Sequence, residues 1–474
     1  MGGLNRAGER KTRRVSPTSS LVKWSVASAA IAATPAIGMA DYLYTGANSA
    51  SSSTPYIDGG SWYNGNNWEN TSGDTYGTAP VGSTATTATA NINAETGFTP
   101  SADPDLTIAG DPVYDNLGAV LGAVFNPAVQ NPANTTLNLE QLYITSGSSQ
   151  VNGTNSPNLL TISSGQMEVT KSSSPVIIGR AALGEVTQTG GNFISDITMQ
   201  VGGDGSNTGM GVINYEGGVL QAGINSSGTS STTSSTGIRL GNTSGTLGII
   251  HVYNDGLTSS KINLNNLYVG YTSGGMGVLD FIYENGNVKT INVTGGNSNP
   301  SDGSSDSQGQ LAIRNYNATP VFGTGTDGSG GSIGAVLNLT LAAAPDVTLV
   351  GDEYIPQNLA LITYADGVHG NSTNPTDFFS PSGINLSAGT TISASYGGFT
   401  YDWEIEYAGS VTSVSSEIAS DDISGSGGNA TNGNGAVVLI GIGSNVPEPA
   451  TFGILTLSGV GLLARRRGRS APTA

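Results

Sequence analysis

The stretch NLYVGYTSGGMGVLDFIYENGNV, Asn266 to Val288, decides the fold. An apolar strand, Leu267 to Val269, runs into Gly270. A small polar turn follows, then a second apolar strand led by glycine that ends at Asn285-Gly286. The same order recurs in SPVIIGRAALGEVTQTGGNF from Ser174, ITMQVGGDGSNTGMGVINYEGGVL from Ile197 and GIRLGNTSGTLGIIHVYNDG from Gly237. The marker glycines are Gly179, Gly202, Gly241 and Gly270, at intervals of 23, 39 and 29 residues. Propeller blades need a near-constant length, so irregular intervals disfavour them. A parallel β-helix tolerates the irregularity, because each rung stacks on the last and variable turns project outward. Within LYVG and INLNNL, alternation sends one side chain in and the next out. The expectation is an all-β chain: a right-handed parallel β-helix of irregular rungs over residues 137–322. An antiparallel sandwich is the competing reading, since it also shows short strands and glycine turns.

Composition agrees with short strands. The chain has 474 residues, 70 of them glycine, and 11% are charged. A helical bundle needs periodic Ala, Leu, Glu and Lys, which are missing here. Ten of the 16 Lys and Arg lie at the two ends, leaving Lys171, Arg180, Arg239, Lys261, Lys289 and Arg314 in the body. Against those six cations stand 33 acids, a formal charge of −27 for residues 41–464. Such a surface repels a phosphate backbone, so nucleic acid is excluded as a partner. With no cysteine, disulfides, thiol catalysis and Cys-based metal sites are excluded too.

The ends read as addresses. A basic region to Arg14, an apolar segment from Leu21 to Ile37 and small residues up to Ala40 form a secretory signal peptide over residues 1–40, cleaved before Asp41. This implies the secretion machinery as a partner. At the other end stands VPEPATFGILTLSGVGLLARRRGR, residues 446–469. Pro447 and Pro449, flanking Glu448, hold their stretch extended, as a peptidase cleft requires. Ala450 to Ala464 carries no charge. As a helix it spans ~22 Å against ~30 Å of hydrocarbon, a short, marginal transmembrane helix. Arg465, Arg466 and Arg467 would stay on the cytoplasmic side.

This ordered triplet resembles a PEP-CTERM sorting signal, over residues 444–469, with a tail at 470–474. The resemblance implies recognition by an exosortase-type membrane peptidase. It also implies transient anchoring in the inner membrane of a Gram-negative-type bacterium that makes extracellular polysaccharide, then a destination at the cell surface or in the matrix. The VG-x(n)-G pattern is similar to autotransporter-passenger-like β-helices. By the same resemblance, residues 41–136 are an opening β segment that caps the first rung. Residues 323–443, with strands around LALITYADG, GGFTYDWEIEYAG and GAVVLIGIG and a Gly/Asn/Ser loop at 416–435, close the core's other end.

Chemistry is sparse. Trp62 and Trp68, six apart among Asn and Gly, are a candidate sugar-stacking pair; the alternative is that they bury the coil's open end. His251 sits at an outward strand position and His369 in a Gly-flanked loop, neither with an HxxxH partner. Asp103, Asp105, Asp111, Asp115, Asp421 and Asp422 are close in sequence, and GGDGSNTG (202–209) is a single weak Gly/Asp calcium-type motif, without EF-hand order. They read as turn residues. No catalytic residue, metal site or cofactor is assigned. The expectation is a non-catalytic structural or adhesion protein that meets polysaccharide. A lyase or glycosidase on a β-helix scaffold is the alternative, and one of the six body cations would then serve as its base.

Overall fold

The computed structural model describes residues 158–170, 176–180, 183–204, 209–229, 231, 236–294, 309–314, 334–351, 353–365, 368–369, 377–381, 383–408 and 435–444. Upstream it describes shorter pieces at 41–44, 68–69, 89–92, 123–125, 128, 135–139 and 141–144. The signal peptide, Trp62, the aspartates at 103–115 and 421–422, the loop at 416–434 and the sorting segment lie outside these residues.

The chain is all-β. It begins with β1 (Asp41–Tyr44), β2 (Trp68–Glu69) and β3 (Thr89–Ile92), then coils. The first rung is β4 (Ala123–Phe125), β5 (Thr136–Leu139) and β6 (Gln141–Ile144). The second is β7 (Asn158–Ile162), β8 (Gln166–Val169) and β9 (Val176–Ile178). The third is β10 (Leu183–Gln188), β11 (Asn192–Ser195) and β12 (Thr198–Val201). The fourth is β13 (Met210–Tyr215), β14 (Val219–Ala222) and β15 (Gly237–Leu240). The fifth is β16 (Leu247–Val252), β17 (Lys261–Leu264) and β18 (Leu267–Val269). The sixth is β19 (Met276–Tyr283), β20 (Ile291–Val293) and β21 (Leu311–Ile313). Past the glycine-rich sequence at 323–334 the coil continues into β22 (Ala335–Leu341). A hairpin, β23 (Val347–Val350) and β24 (Glu353–Pro356), interrupts before β25 (Leu359–Tyr364) and β26 (Val368–His369) complete a seventh rung. Then come β27 (Thr391–Tyr396), β28 (Phe399–Ala408) and β29 (Gly435–Ser444).

From β3 to β22 every third strand joins the same sheet, and the inserted hairpin shifts only the last two coil strands, β25 and β26. Sheet A stacks β3-β6-β9-β12-β15-β18-β21-β26, with β1 and β2 beyond β3. Sheet B stacks β4-β7-β10-β13-β16-β19-β22, and sheet C stacks β5-β8-β11-β14-β17-β20-β25. Pairing along each stack is parallel, the β-helix-like arrangement expected from the repeats. Parallel stacking fixes the register, so like residues form columns. In sheet C, Leu137, Met167, Phe193, Leu220, Ile262, Ile291 and Ile362 follow one another inward, all buried. Each such burial contributes about 1.5–3 kcal/mol relative to exposure.

The glycine pattern has a packing cause. Gly179, Gly202, Gly241 and Gly270 end sheet A strands with φ of 72°, 85°, 65° and 69°, a left-handed turn that a Cβ would strain. The backbone so turned presses on the second residue of the following sheet B strand. Those residues are Gly184, Gly211, Gly248 and Gly277, in register with one another. A Cβ on Gly211 would lie 2.3 Å from the Ile178 carbonyl oxygen and 2.6 Å from the Gly202 nitrogen. In the seventh rung both restraints lapse together: Arg314 takes the corner and Ala335 pairs with Gly277.

Beyond β25 the direction reverses. β29 pairs antiparallel with β25, β28 with β29 and β27 with β28, extending sheet C past the last rung. Trp403 is wholly buried there and donates Nε1–H to the Gln357 carbonyl at 2.9 Å. Tyr407 donates its hydroxyl to Leu386 O at 3.0 Å and accepts from Phe378 N at 3.0 Å.

Candidate functional site

Each of the three sheets carries a polar cluster, assembled by register on sheet B and by register together with the flanking turns on sheets A and C. On sheet B, the residues three past the ladder glycines, and three past Ala335 in the seventh rung, form a column: Thr187, Asn214, His251, Asp280 and Asn338. Nδ1 of His251 lies 3.0 Å from Oδ2 of Asp280. The other carboxylate oxygen accepts from Asn338 Nδ2 at 3.0 Å and Thr340 Oγ1 at 3.1 Å. Asp280 is 1% exposed. Two rungs earlier, Asn214 donates to Glu185 Oε1 at 2.5 Å and to Thr187 Oγ1 at 3.3 Å. A carboxylate at Nδ1 fixes the orientation of the imidazole ring. Beside this column runs a buried apolar one that includes Val212, Ile249, Val278 and Val336. Among the described residues no group of three or more His, Asp or Glu is placed to hold a metal ion. Sequence reading placed His251 correctly on an outward position but gave it no partner. Aligning GIIHVYN and GVLDFIY on their glycines supplies Asp280.

On sheet A, cations stack on tyrosines. The Arg180 guanidinium sits 5.1 Å from the Tyr143 ring centre and Arg239 4.3 Å from Tyr271. Arg314 lies 5.1 Å from Tyr268 and 5.0 Å from Tyr271. Arg180 also pairs with Asp204, the acid of GGDGSNTG. Burial pulls the Arg239 guanidinium down from its ordinary value, opposed by Tyr271 and Tyr268. Three of the six body cations thus serve one face as staples between rungs.

On sheet C, Glu168 on β8 meets Asp196, just past β11. Burial first, then the charge of Glu168 and a hydrogen bond to it, push the Asp196 carboxyl up to about 7. Glu168 accepts from Ser226 N at 2.9 Å and Ser226 Oγ at 2.8 Å, pinning the turn after β14 across two rungs.

Other sequence-selected residues fall elsewhere. Trp68 lies in β2, whose backbone pairs with β1 at Tyr44. The backbone of His369 pairs with Ala312 at the end of sheet A. Lys289 is tied to Asp255 at 3.0 Å and to Leu257 O at 2.8 Å. Ala40, Pro447, Glu448, Pro449, Arg465, Arg466 and Arg467 lie outside the described residues. No helix among the described residues is long and apolar enough to cross a membrane.

One family model matches: the PEP-CTERM protein-sorting motif, at residues 445–467. The chain therefore carries a sorting signal of the class that its terminal sequence resembles. That motif implies export, a transient membrane anchor in a Gram-negative bacterium and processing by exosortase, a membrane peptidase. No curated protein and no solved structure matches the chain.

Proposed function

We propose that this protein is a non-catalytic structural or adhesion component of the cell surface or extracellular polysaccharide matrix, released there after its tag is processed. The observation that carries the reading is how the outer polar groups are used. Asp280 accepts from two side chains besides facing His251, the body arginines on sheet A stack on tyrosines, and Glu168 holds a turn. These groups tie rung to rung. The remaining surface is acidic and rich in Ser, Thr and Asn. Such a surface hydrogen-bonds sugars weakly at many points, and avidity along the coil supplies retention. Incubating the mature chain with the host's own extracellular polysaccharide should retain it; passage straight through would remove the reading.

The second reading, a polysaccharide-active enzyme, draws on the His251–Asp280 pair, a fixed imidazole on a sheet's outer face. It requires release of reducing ends or unsaturated products from acidic glycans, lost in His251→Ala. The proposed role requires no turnover by either chain.

A further inference from the structure

The place where the folded chain hands over to its tag exposes several large apolar side chains. Among the described residues six large apolar side chains are exposed: Leu257 (58%), between β16 and β17, Ile384 (58%), ahead of β27, and a group of Leu349 (56%), Val350 (55%), Tyr396 (40%) and Ile442 (37%). These four converge on the exit of β29. Ser444, the last residue of β29, donates its hydroxyl to the Tyr354 carbonyl at 2.7 Å. Tyr354 pairs directly with Leu349 across the β23–β24 hairpin, and Glu353 pairs with Val350. Strand β24 lies tight on β29: a Cβ on Gly441 would sit 1.8 Å from the Pro356 carbonyl oxygen. On its other side Ser444 pairs with Tyr401, close to the tight turn at Gly397-Gly398 that carries Tyr396. Two hairpin tips and the end of β29 therefore share one corner of the closing segment.

The tag begins at residue 445, and five residues, Asn445 to Pro449, separate Ser444 from the uncharged run at Ala450. At ~3.3–3.6 Å per residue that link reaches ~20 Å at most. A headgroup layer is ~5–8 Å deep on each side. Ser444 therefore stays within ~15 Å of the headgroup surface whenever the run is embedded.

We propose that while the tag is inserted this corner lies on the membrane, with Leu349, Val350, Tyr396 and Ile442 in the lipid interface and the coil projecting away from it. The inference rests on the anchored stage implied by the sorting motif. Tyrosine and aliphatic side chains suit that layer. Glu353 and Asp402 border the corner, so the fitting surface is zwitterionic rather than anionic. Four of the six exposed large apolar side chains gather at the tag's exit, as a contact needed only before release requires.

The chain has no cysteine, so single thiols can be placed at will. Full-length Leu349→Cys, Tyr396→Cys and, as a distant exposed control, Ser227→Cys would each carry an environment-sensitive fluorophore and be mixed with phosphatidylcholine vesicles. Emission at 349 and 396 should rise about twofold or more and be quenched by spin-labelled lipid, as for groups entering an interface. The probe at 227 should not change. A vesicle-bound chain whose probes at 349 and 396 behave like that at 227 overturns the inference and leaves the tag reading standing. A full-length chain that fails to sediment with vesicles overturns both.

Discussion

The coil and its closing segment solve the same problem by different means. From β9 to β20 the chain repeats one unit. Its inward columns and paired glycines are copied rung to rung, and each restraint is a backbone-to-backbone contact. From β22 onward the glycine pairs are gone. Antiparallel strands, a buried Trp403 and the doubly bonded Tyr407 hold the end instead. Repetition tolerates long insertions between rungs but no Cβ at the corners. The closing segment tolerates local change but depends on a few large side chains.

That contrast can be broken most forcefully at a ladder glycine. Gly211→Val puts a side chain into the backbone of the rung corner, and should cost more than ~4 kcal/mol by denaturant unfolding, the scale of core disruption. Gly443→Ala, where nothing lies within 4 Å of the added carbon, should stay within ~0.5 kcal/mol. Equal effects would dissolve the distinction. Next comes Trp403→Ala, expected to cost ~3–5 kcal/mol and to increase aggregation in light scattering as the last rung is uncovered. Arg239→Gln removes a stacked cation and should cost ~1–2 kcal/mol, read as faster amide exchange confined to β15 and β18.

The smallest effect concerns pH. The Asp196 carboxyl is raised to about 7 from an ordinary 3.8, so the folded state holds a proton that the unfolded state releases. Its contribution to stability is full below pH 3.8 and is lost as pH rises through about 7. Asp196→Asn cannot ionise. Its melting temperature should therefore fall less than the parent's between pH 5 and pH 8, by scanning calorimetry.

Much of this was legible beforehand, and the limits are physical. The marker glycines at 179, 202, 241 and 270 were readable because a left-handed corner admits little else. Their partners at 184, 211, 248 and 277 were visible only as glycine-led strands, since the clash that requires them comes from the neighbouring corner. His251 and Asp280 are 29 residues apart, and only rung length brings them together. The reach of Glu168 to Ser226 depends on a turn of irregular length, which no periodicity encodes. The sorting signal was plain because its parts are contiguous in sequence, and the family match covers the same stretch.

The central claim is that an exported coil is delivered by this tag and freed from it. The most direct test is mass spectrometry of the C-terminus of the protein recovered from the host's extracellular fraction. The account predicts a chain that retains β29 through Ser444 and lacks the apolar run and Arg465–Arg467. Extracellular protein that still ends in the arginine cluster, or an intact precursor confined to the cytosol, would contradict it.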